Sequence, residues 1–97
     1  MELSGKQKRF LRAMGVNMDP VLTIGKDGVS GHTIKQADGV LLARELIKGR
    51  VLQTAPEGVA ETATTIAEAT GADLVQVVGR NFLMYRPNPE KPVIELP

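Results

Sequence analysis

The chain has 97 residues, of which 42% are hydrophobic and 24% charged, and it contains no Cys. This length and composition predict a single globular domain, and the lack of Cys excludes disulfides, a thiolate nucleophile and Cys-ligated metals. No apolar run reaches the ~18 residues of a membrane span, and residues 1–10 lack the apolar core of a secretory signal. We therefore expect a cytoplasmic protein that has no membrane partner.

The charge is unevenly distributed along the chain. Residues 1–50 contain nine Lys and Arg against five Asp and Glu, whereas residues 51–97 contain three against six. The total of +1 therefore conceals a basic half and an acidic half. A basic surface of this kind favours a polyanionic partner.

The first predicted element is a helix from Gly5 to Gly15. Ser4 and Gln7 have the spacing of a capping box at its start, and Gly15 suits the C-terminal cap. Apolar residues at helical spacing would form its buried stripe: Phe10, Leu11 and Met14.

Two short strands flank a second helix. The first strand runs from Pro20 to Ile24 and the second from Leu46 to Leu52, where alternation places Lys48 and Arg50 on one side. The helix between them would begin after Ser30 and end near Glu45. Gly39 within it predicts close packing against a neighbour, and its buried side would carry Ile34, Ala37, Leu41 and Leu42.

A third helix and a hairpin complete the predicted domain. The helix runs from Val59 to Thr70, and strands from Leu74 to Val78 and from Phe82 to Arg86 are joined by a turn at residues 79–81. We expect residues 1–86 to form the domain. The segment 87–97, with four of the chain's six prolines, would be an extended tail in which residues 93–94 could dock on the domain.

The order of elements predicts an α/β chain of the α+β two-layer sandwich type. The first helix would be followed by β-α-β-α-β-β, forming a small mixed four-stranded sheet. Strands alternating with helices favour parallel pairs, and the final hairpin adds an antiparallel pair.

Catalysis finds little support in the residues. His32 is the only His, and Glu61 and Glu68 are more typical of a solvated helix face than of a catalytic carboxylate pair. No motif has the spacing of a metal site. We expect a protein that is not an enzyme and has no cofactor.

The loop Gly25-Lys26-Asp27-Gly28 carries the strongest chemical signal. It lies between a strand and the start of a capped helix, where free N–H groups and a positive helix end favour a phosphate. Gly25 and Gly28 fit the G-x-x-G pattern that KH-type domains use to hold an RNA backbone. The first helix adds further cations, Lys6, Lys8, Arg9 and Arg12. Together these features predict RNA binding.

The aromatic content narrows the mode of binding. The chain has only Phe10, Phe82 and Tyr85, and we expect both Phe residues in the core. Domains that read single strands by stacking bases on a sheet need more exposed rings. Recognition should therefore depend on phosphates, ribose and shape, with strong salt dependence.

Several motifs in order resemble the CRM domain family, and within it the stand-alone bacterial YhbY-type RNA-binding proteins. The resemblance covers residues 2 to 86 and rests on Gly5–Arg12, Pro20–Gly28, Glu45–Lys48, Val75–Gly79 and Tyr85-Arg86.

This resemblance implies a fold similar to the C-terminal domain of bacterial translation initiation factor three. It also implies binding to ribosomal RNA in precursors of the large ribosomal subunit, as an assembly factor. The family's conserved loop falls on Gly25, Lys26 and Gly28. Gly49 departs from the pattern, which usually has an apolar residue there, and this departure would soften the strand that carries Lys48 and Arg50.

The predicted RNA-binding residues extend over several elements of the chain. They are Lys6, Lys8, Arg9, Arg12, Gly25, Lys26, Asp27, Gly28, Lys48, Arg50 and Arg80. We expect the protein to be a monomer. An alternative is a protein-interaction module that binds a ribosomal protein or assembly factor through its acidic half and its tail.

Overall fold

The structure, a computed structural model, describes residues 2–97. Within that range the chain forms three helices and four strands. In chain order these elements are α1 (Gly5–Gly15), β1 (Leu22–Ile24), α2 (Gly31–Arg44), β2 (Leu46–Val51), α3 (Val59–Thr70), β3 (Asp73–Val78) and β4 (Asn81–Tyr85). The predicted helices match closely, and the strand ends differ by one or two residues.

The four strands form one mixed sheet in the order β1-β2-β4-β3. Strands β1 and β2 pair in parallel, whereas β4 pairs antiparallel with both β2 and β3. The chain contains two β-α-β units, β1-α2-β2 and β2-α3-β3. Only the first forms a parallel pair, because β4 lies between β2 and β3 in the sheet. The predicted α+β fold class with a small mixed sheet is confirmed.

One face of the sheet is sealed by α2 and α3. A cluster of apolar side chains lies between them, and its members are almost completely buried. This cluster contains Leu22, Ile24, Ala37, Leu41, Ile47, Val51, Ala63, Ile66, Ala67, Phe82 and Met84.

Gly49 has a specific place in this sealed face. It lies opposite Phe82 in the β2–β4 register, and a Cβ at this position would overlap the Phe82 ring. The missing side chain lets the ring lie directly against the backbone of β2. Gly49 thus lets a large aromatic side chain fit between the sheet and its helices.

The opposite face is covered only in part, by α1 and the C-terminal segment. A second apolar cluster lies there, and Ile94 and Leu96 of the C-terminal segment pack against it. Its buried members are Leu3, Leu11, Leu46, Val75, Leu83 and Tyr85. The first helix therefore lies on the side of the sheet away from α2 and α3.

Glu45 ties the C-terminal segment to this face. Its carboxylate accepts hydrogen bonds from the backbone N–H groups of Asn88, Val93 and Ile94 at 2.6, 2.7 and 2.6 Å. Although burial opposes the charged form, these three bonds together hold the pKa of Glu45 below its ordinary value. Glu45 also has a φ of 66°, the only positive value at a non-Gly position among residues 2–97.

Several predicted core positions are wrong. Phe10, Met14 and Leu42 are 38%, 40% and 58% exposed, because each lies on a flank of its helix rather than on the side that meets the sheet. Gly15 is not the cap of α1, since Val16 takes that place. Gly39 has open space around it rather than a close neighbour.

The helices of the described part of the chain, residues 2–97, are all too short or too polar to cross a membrane.

Candidate nucleic-acid interface

The loop Gly25–Gly28 forms a tight turn at the end of β1. The N–H of Gly28 donates to the carbonyl of Gly25 at 3.0 Å. Gly28 has a φ of 66°, and a Cβ there would lie 2.9 Å from Cγ of Pro56, so both the backbone angle and the neighbour require glycine. The turn leaves Lys26 and Asp27 exposed at its tip.

The start of α2 follows this turn directly. Ser30 and Thr33 form a capping box, in which each side chain accepts a hydrogen bond from the other's backbone N–H. The cap leaves the N–H groups of Gly31 and His32 without helical partners, and both residues are exposed. Free N–H groups at the positive end of a helix favour an anion beside the turn.

Three of the predicted cations lie along the same edge of the sheet as the turn. The N–H of Leu52 donates to the carbonyl of Ile24 at 2.9 Å, and the N–H of Val51 donates to the carbonyl of Arg80 at 2.8 Å. These bonds bring the ends of β1 and β2 and the β3–β4 turn together. We call the exposed residues Lys26, Arg50 and Arg80 the cation edge.

Two further predicted cations line a groove beside this edge. The groove has a volume of about 340 Å³ and lies between the C-terminal end of α1 and the partly covered face of the sheet. Arg12 and Lys48 are both half-buried in its walls. We call this cavity the sheet groove.

The remaining predicted cations are not brought to the cation edge. Lys6, Lys8 and Arg9 are exposed on α1 toward its N-terminal end. That end lies beside the end of the chain, where Nε2 of Gln7 donates to the carbonyl of Pro97 at 3.3 Å. The four predicted cations of α1 are therefore separated in the structure, and only Arg12 lines the groove.

None of these predicted cations forms an ion pair within residues 2–97. The ion pair of that range joins Arg86 to Asp38 at 2.6 Å, and Arg86 also donates to the carbonyl of Thr70 at 2.8 Å. Arg86 therefore serves the fold. The cations of the edge and groove remain available for an external anion.

Carboxylates lie on the other side of the Gly25–Gly28 turn. Pro56, which contacts Gly28, is followed by Glu57, and Glu61 lies one helical turn later in α3. The protonated Glu57 carboxyl donates a hydrogen bond to Glu61, and this bond, the negative charge of Glu61 and a small desolvation raise the pKa of Glu57. This acidic side opposes the approach of phosphates, so the turn is open to them mainly from the face that carries Arg50.

Two of the three aromatic rings are buried in the domain, and the third, Phe10 on α1, is the one that is exposed. Phe82 and Tyr85 are 1% and 2% exposed, so the prediction that Phe82 is in the core is confirmed. Burial, together with the charges of Glu45 and Asp73, raises the pKa of the Tyr85 hydroxyl. Neither ring is available to stack on a base.

Sequence reasoning missed the polar residues beside Lys48 and Arg50. Thr23 and Asn81 lie opposite Arg50 on the two neighbouring strands, and Gln76 shares the sheet groove with Asn81. The one available signal was Gln76 itself, a polar residue within the apolar run of β3. Its proximity to Lys48 depends on the strand register, which the sequence does not display.

No group of His, Cys, Asp or Glu side chains within residues 2–97 is arranged to hold a metal ion. His32 is exposed in the first turn of α2.

Comparisons with known proteins agree in the family they indicate. The profile of the CRS1/YhbY (CRM) domain matches residues 3–86. The protein YqeI of Bacillus subtilis (strain 168), named a probable RNA-binding protein, is 41% identical over 95 residues, which cover 98% of this chain and 99% of YqeI. A protein of Haemophilus influenzae named an RNA-binding protein is 33% identical over 95 residues, with coverages of 98% and 95%.

A solved structure shows the same fold. The solution structure of the hypothetical protein SAV1595 from Staphylococcus aureus, described as a candidate RNA binding protein, matches with a TM-score of 0.81 and 48% sequence identity. The match covers 99% of this chain and 100% of that one.

Proposed function

This chain belongs to the CRS1/YhbY (CRM) domain family, and on that premise we propose that it is a non-catalytic RNA-binding protein. The cation edge and the Gly25–Gly28 turn hold the RNA backbone. The observation that carries the proposal is the group of exposed, unpaired cations beside a turn that offers free N–H groups. Its relatives in Bacillus subtilis and Haemophilus influenzae bear RNA-binding names, which supports the same partner.

The phosphates approach from the partly covered face of the sheet. Arg50 lies on that face next to the turn, whereas Glu57 and Glu61 occupy the side of α3. Negative potential on one side and positive potential on the other orient a polyanion before close contact forms. The backbone of the RNA therefore crosses the sheet edge at Lys26 and continues toward the sheet groove.

The RNA is ribosomal RNA in precursors of the large subunit, and the protein acts there as a monomeric assembly factor. The motif set found in the sequence implies this role for the family. The surface also suits a folded RNA, because its cations recognise phosphates and shape, and the two aromatic rings of the sheet, Phe82 and Tyr85, are buried and offer no stacking platform.

The experiment compares two triple variants of the full chain. One replaces the cation edge with Ala (Lys26→Ala, Arg50→Ala, Arg80→Ala). The control removes the same charge from exposed positions elsewhere (Lys35→Ala, Arg44→Ala, Lys91→Ala). Affinity for a large-subunit ribosomal RNA fragment is measured by fluorescence anisotropy over a series of salt concentrations.

The cation-edge variant should bind more weakly and with a flatter salt dependence. Each phosphate contact contributes about 0.7 to 0.9 to the slope of log affinity against log salt, so three lost contacts reduce it by about 2 to 3. The control should retain most of the slope. Equal slopes for the wild type and the cation-edge variant would contradict the proposed surface.

The alternative interpretation is a protein-interaction module that acts through the acidic half and the tail, and the contacts of the tail give it no support. Ile94 and Leu96, the apolar residues that such a tail would offer, pack against the domain's own second cluster. A protein partner would have to displace them and break the hydrogen bonds to Glu45.

A further inference from the structure

The sheet groove has chemistry that phosphate binding alone does not explain. Besides its two cations it is lined by two amide side chains, Gln76 and Asn81, and by apolar surface from Val16 and Val78. Simple electrostatic attachment to an RNA backbone needs neither amides nor apolar walls. The combination is typical of a pocket that encloses a planar, partly polar group.

We propose that the sheet groove binds a single unpaired nucleobase of the RNA. Gln76 and Asn81 hydrogen-bond to the edge of the base, Val16 and Val78 contact its faces, and Arg12 and Lys48 hold the adjoining phosphate. This assignment rests on the proposed function, since it names the part of the RNA that the same surface recognises.

The amide groups are free to make such bonds. Both Gln76 and Asn81 are half-buried, and within residues 2–97 neither side chain forms a hydrogen bond with the protein. An amide presents an acceptor and a two-proton donor side by side, the arrangement that pairs with the edges of nucleobases. Two such groups in one groove can read a base that has left its stack.

The size of the groove suits this occupant. Its volume of about 340 Å³ lies at the lower end of the range of roughly 300–1,000 Å³ that small-molecule sites span. One base with part of its ribose fits this space. A stem of paired bases does not, because its bases are stacked and their edges are paired with each other.

The charge of the groove identifies the occupant as part of a nucleic acid. Arg12 and Lys48 have no carboxylate partner within residues 2–97, and no Asp or Glu lines the cavity. The groove is also continuous with the cation edge, because Lys48 and Arg50 project from the same face of β2. Their spacing of about 7 Å along the strand allows them to hold neighbouring phosphates of one extended backbone.

The test uses two RNA hairpins that differ by one nucleotide. The first has a fully paired stem, and the second has the same stem with one unpaired nucleotide bulged out. In both hairpins a non-nucleotide linker joins the two strands in place of a loop, so the bulge is the only unpaired nucleotide. Both are titrated with the wild type, with the double variant Gln76→Ala/Asn81→Ala and with the control Gln36→Ala, which removes an exposed amide on α2. Circular dichroism melts verify that each variant is folded.

The wild type and the control should bind the bulged hairpin about tenfold more tightly, within the range expected for amide contacts to one base. The double variant should lose this preference while its affinity for the paired hairpin and its salt slope stay unchanged. As a measurement that needs no substitution, the side-chain amide NMR signals of Gln76 and Asn81 should shift with the bulged hairpin and not with the paired one.

The outcomes separate the two proposals. If the wild type binds both hairpins equally well and binding still depends on Lys26, Arg50 and Arg80, the nucleobase assignment is overturned while RNA binding stands. If neither hairpin binds in a salt-dependent manner, the proposed function fails, and the nucleobase assignment fails with it.

Discussion

The two faces of the sheet are built from the same strands but differ in how far they are covered and buried. The face under α2 and α3 is apolar throughout, from Leu22 on β1 to Met84 on β4. The other face is apolar only where α1 and the C-terminal segment cover it, around Leu46 and Tyr85. Beyond their reach the same alternation on β2 places Lys48 and Arg50 in contact with solvent.

This difference shows what separates a core from a site in so small a domain. Strand alternation decides which face a side chain occupies, but the covering elements decide whether that face is buried. The chain has two helices for one face and one helix for the other. The uncovered part of the second face is where the cations collect.

The largest expected effect comes from breaking the sealed face at Gly49. In Gly49→Ala the new methyl group would overlap the Phe82 ring, and this residue is 1% exposed and packed within the first apolar cluster. We expect the free energy of unfolding to fall by about 2 to 3 kcal/mol, the cost of overpacking a well-filled core. Urea denaturation followed by circular dichroism measures this change.

Gly39→Ala is the matched control for that substitution. Gly39 lies in the interior of α2 with no atom close to its absent Cβ, so the methyl group meets no obstacle. Ala is favoured over Gly within a helix by about 1 kcal/mol, and the variant should be more stable than the wild type. If Gly49→Ala behaved in the same way, the packing argument for Gly49 would be wrong.

The covered half of the second face depends on Glu45. Glu45→Gln replaces a carboxylate oxygen with an N–H₂ group, so at least one of the three N–H donors loses its acceptor. A lost hydrogen bond to a charged group costs about 1.5 to 2 kcal/mol. We expect a loss of that size in unfolding free energy and faster hydrogen exchange at Val93 and Ile94.

The same carboxylate makes this half of the molecule sensitive to acid. Because the folded state lowers the pKa of Glu45 from its ordinary value of 4.5, its stabilising contribution is complete above that pH. It is lost as the pH falls through the lowered pKa. The stability difference between the wild type and Glu45→Gln should therefore shrink below pH 4.5.

The matched control replaces an exposed carboxylate of the C-terminal segment. Glu90→Gln replaces a carboxylate that accepts no hydrogen bond within residues 2–97. It should leave both the stability and the exchange rates near those of the wild type. Faster exchange at residues 93–94 in Glu90→Gln, or none in Glu45→Gln, would show that Glu45 does not hold the segment.

The comparison of faces also explains which features the sequence could predict. The start of α1 and the end of α3 were predictable because their signals are local: the capping box of Ser4 and Gln7 and Gly71, which takes the left-handed conformation directly after α3. The side of α1 that is buried was not predictable in this way. Phe10 and Leu11 are both apolar and adjacent, and it is packing against sheet residues such as Leu83 that buries Leu11.

For the candidate site too, the sequence predicted the features with local signals and not those that depend on distant contacts. Alternation correctly placed Lys48 and Arg50 on one face, and the glycine pattern located the turn. The insertion of β4 beside β2 brings Asn81 and Gln76 to the same place, and that pairing depends on contacts between distant segments. For the same reason nothing local marks Glu45, whose partners lie 43 to 49 residues later.

The smallest expected effect is on the salt slope of RNA binding, and it compares one cation of the open face with one on the outer side of α1. Lys48 is half-buried in the sheet groove, whereas Lys6 is exposed toward the other end of α1. Lys48→Ala should reduce the salt slope of RNA binding by about 0.7 to 0.9, the contribution of one phosphate contact. Lys6→Ala should change the slope much less, because a cation far from the bound backbone contributes only screened attraction.

These two single variants carry the same change in net charge, so any difference between them reflects position alone. Anisotropy titrations of both against one large-subunit RNA fragment, across the same salt series, give the two slopes directly. If both variants reduce the slope equally, the RNA contacts the whole length of α1, and the separation of Lys6 from the sheet groove does not govern binding. If only Lys48→Ala flattens the slope, the uncovered half of the sheet is the surface that the RNA follows.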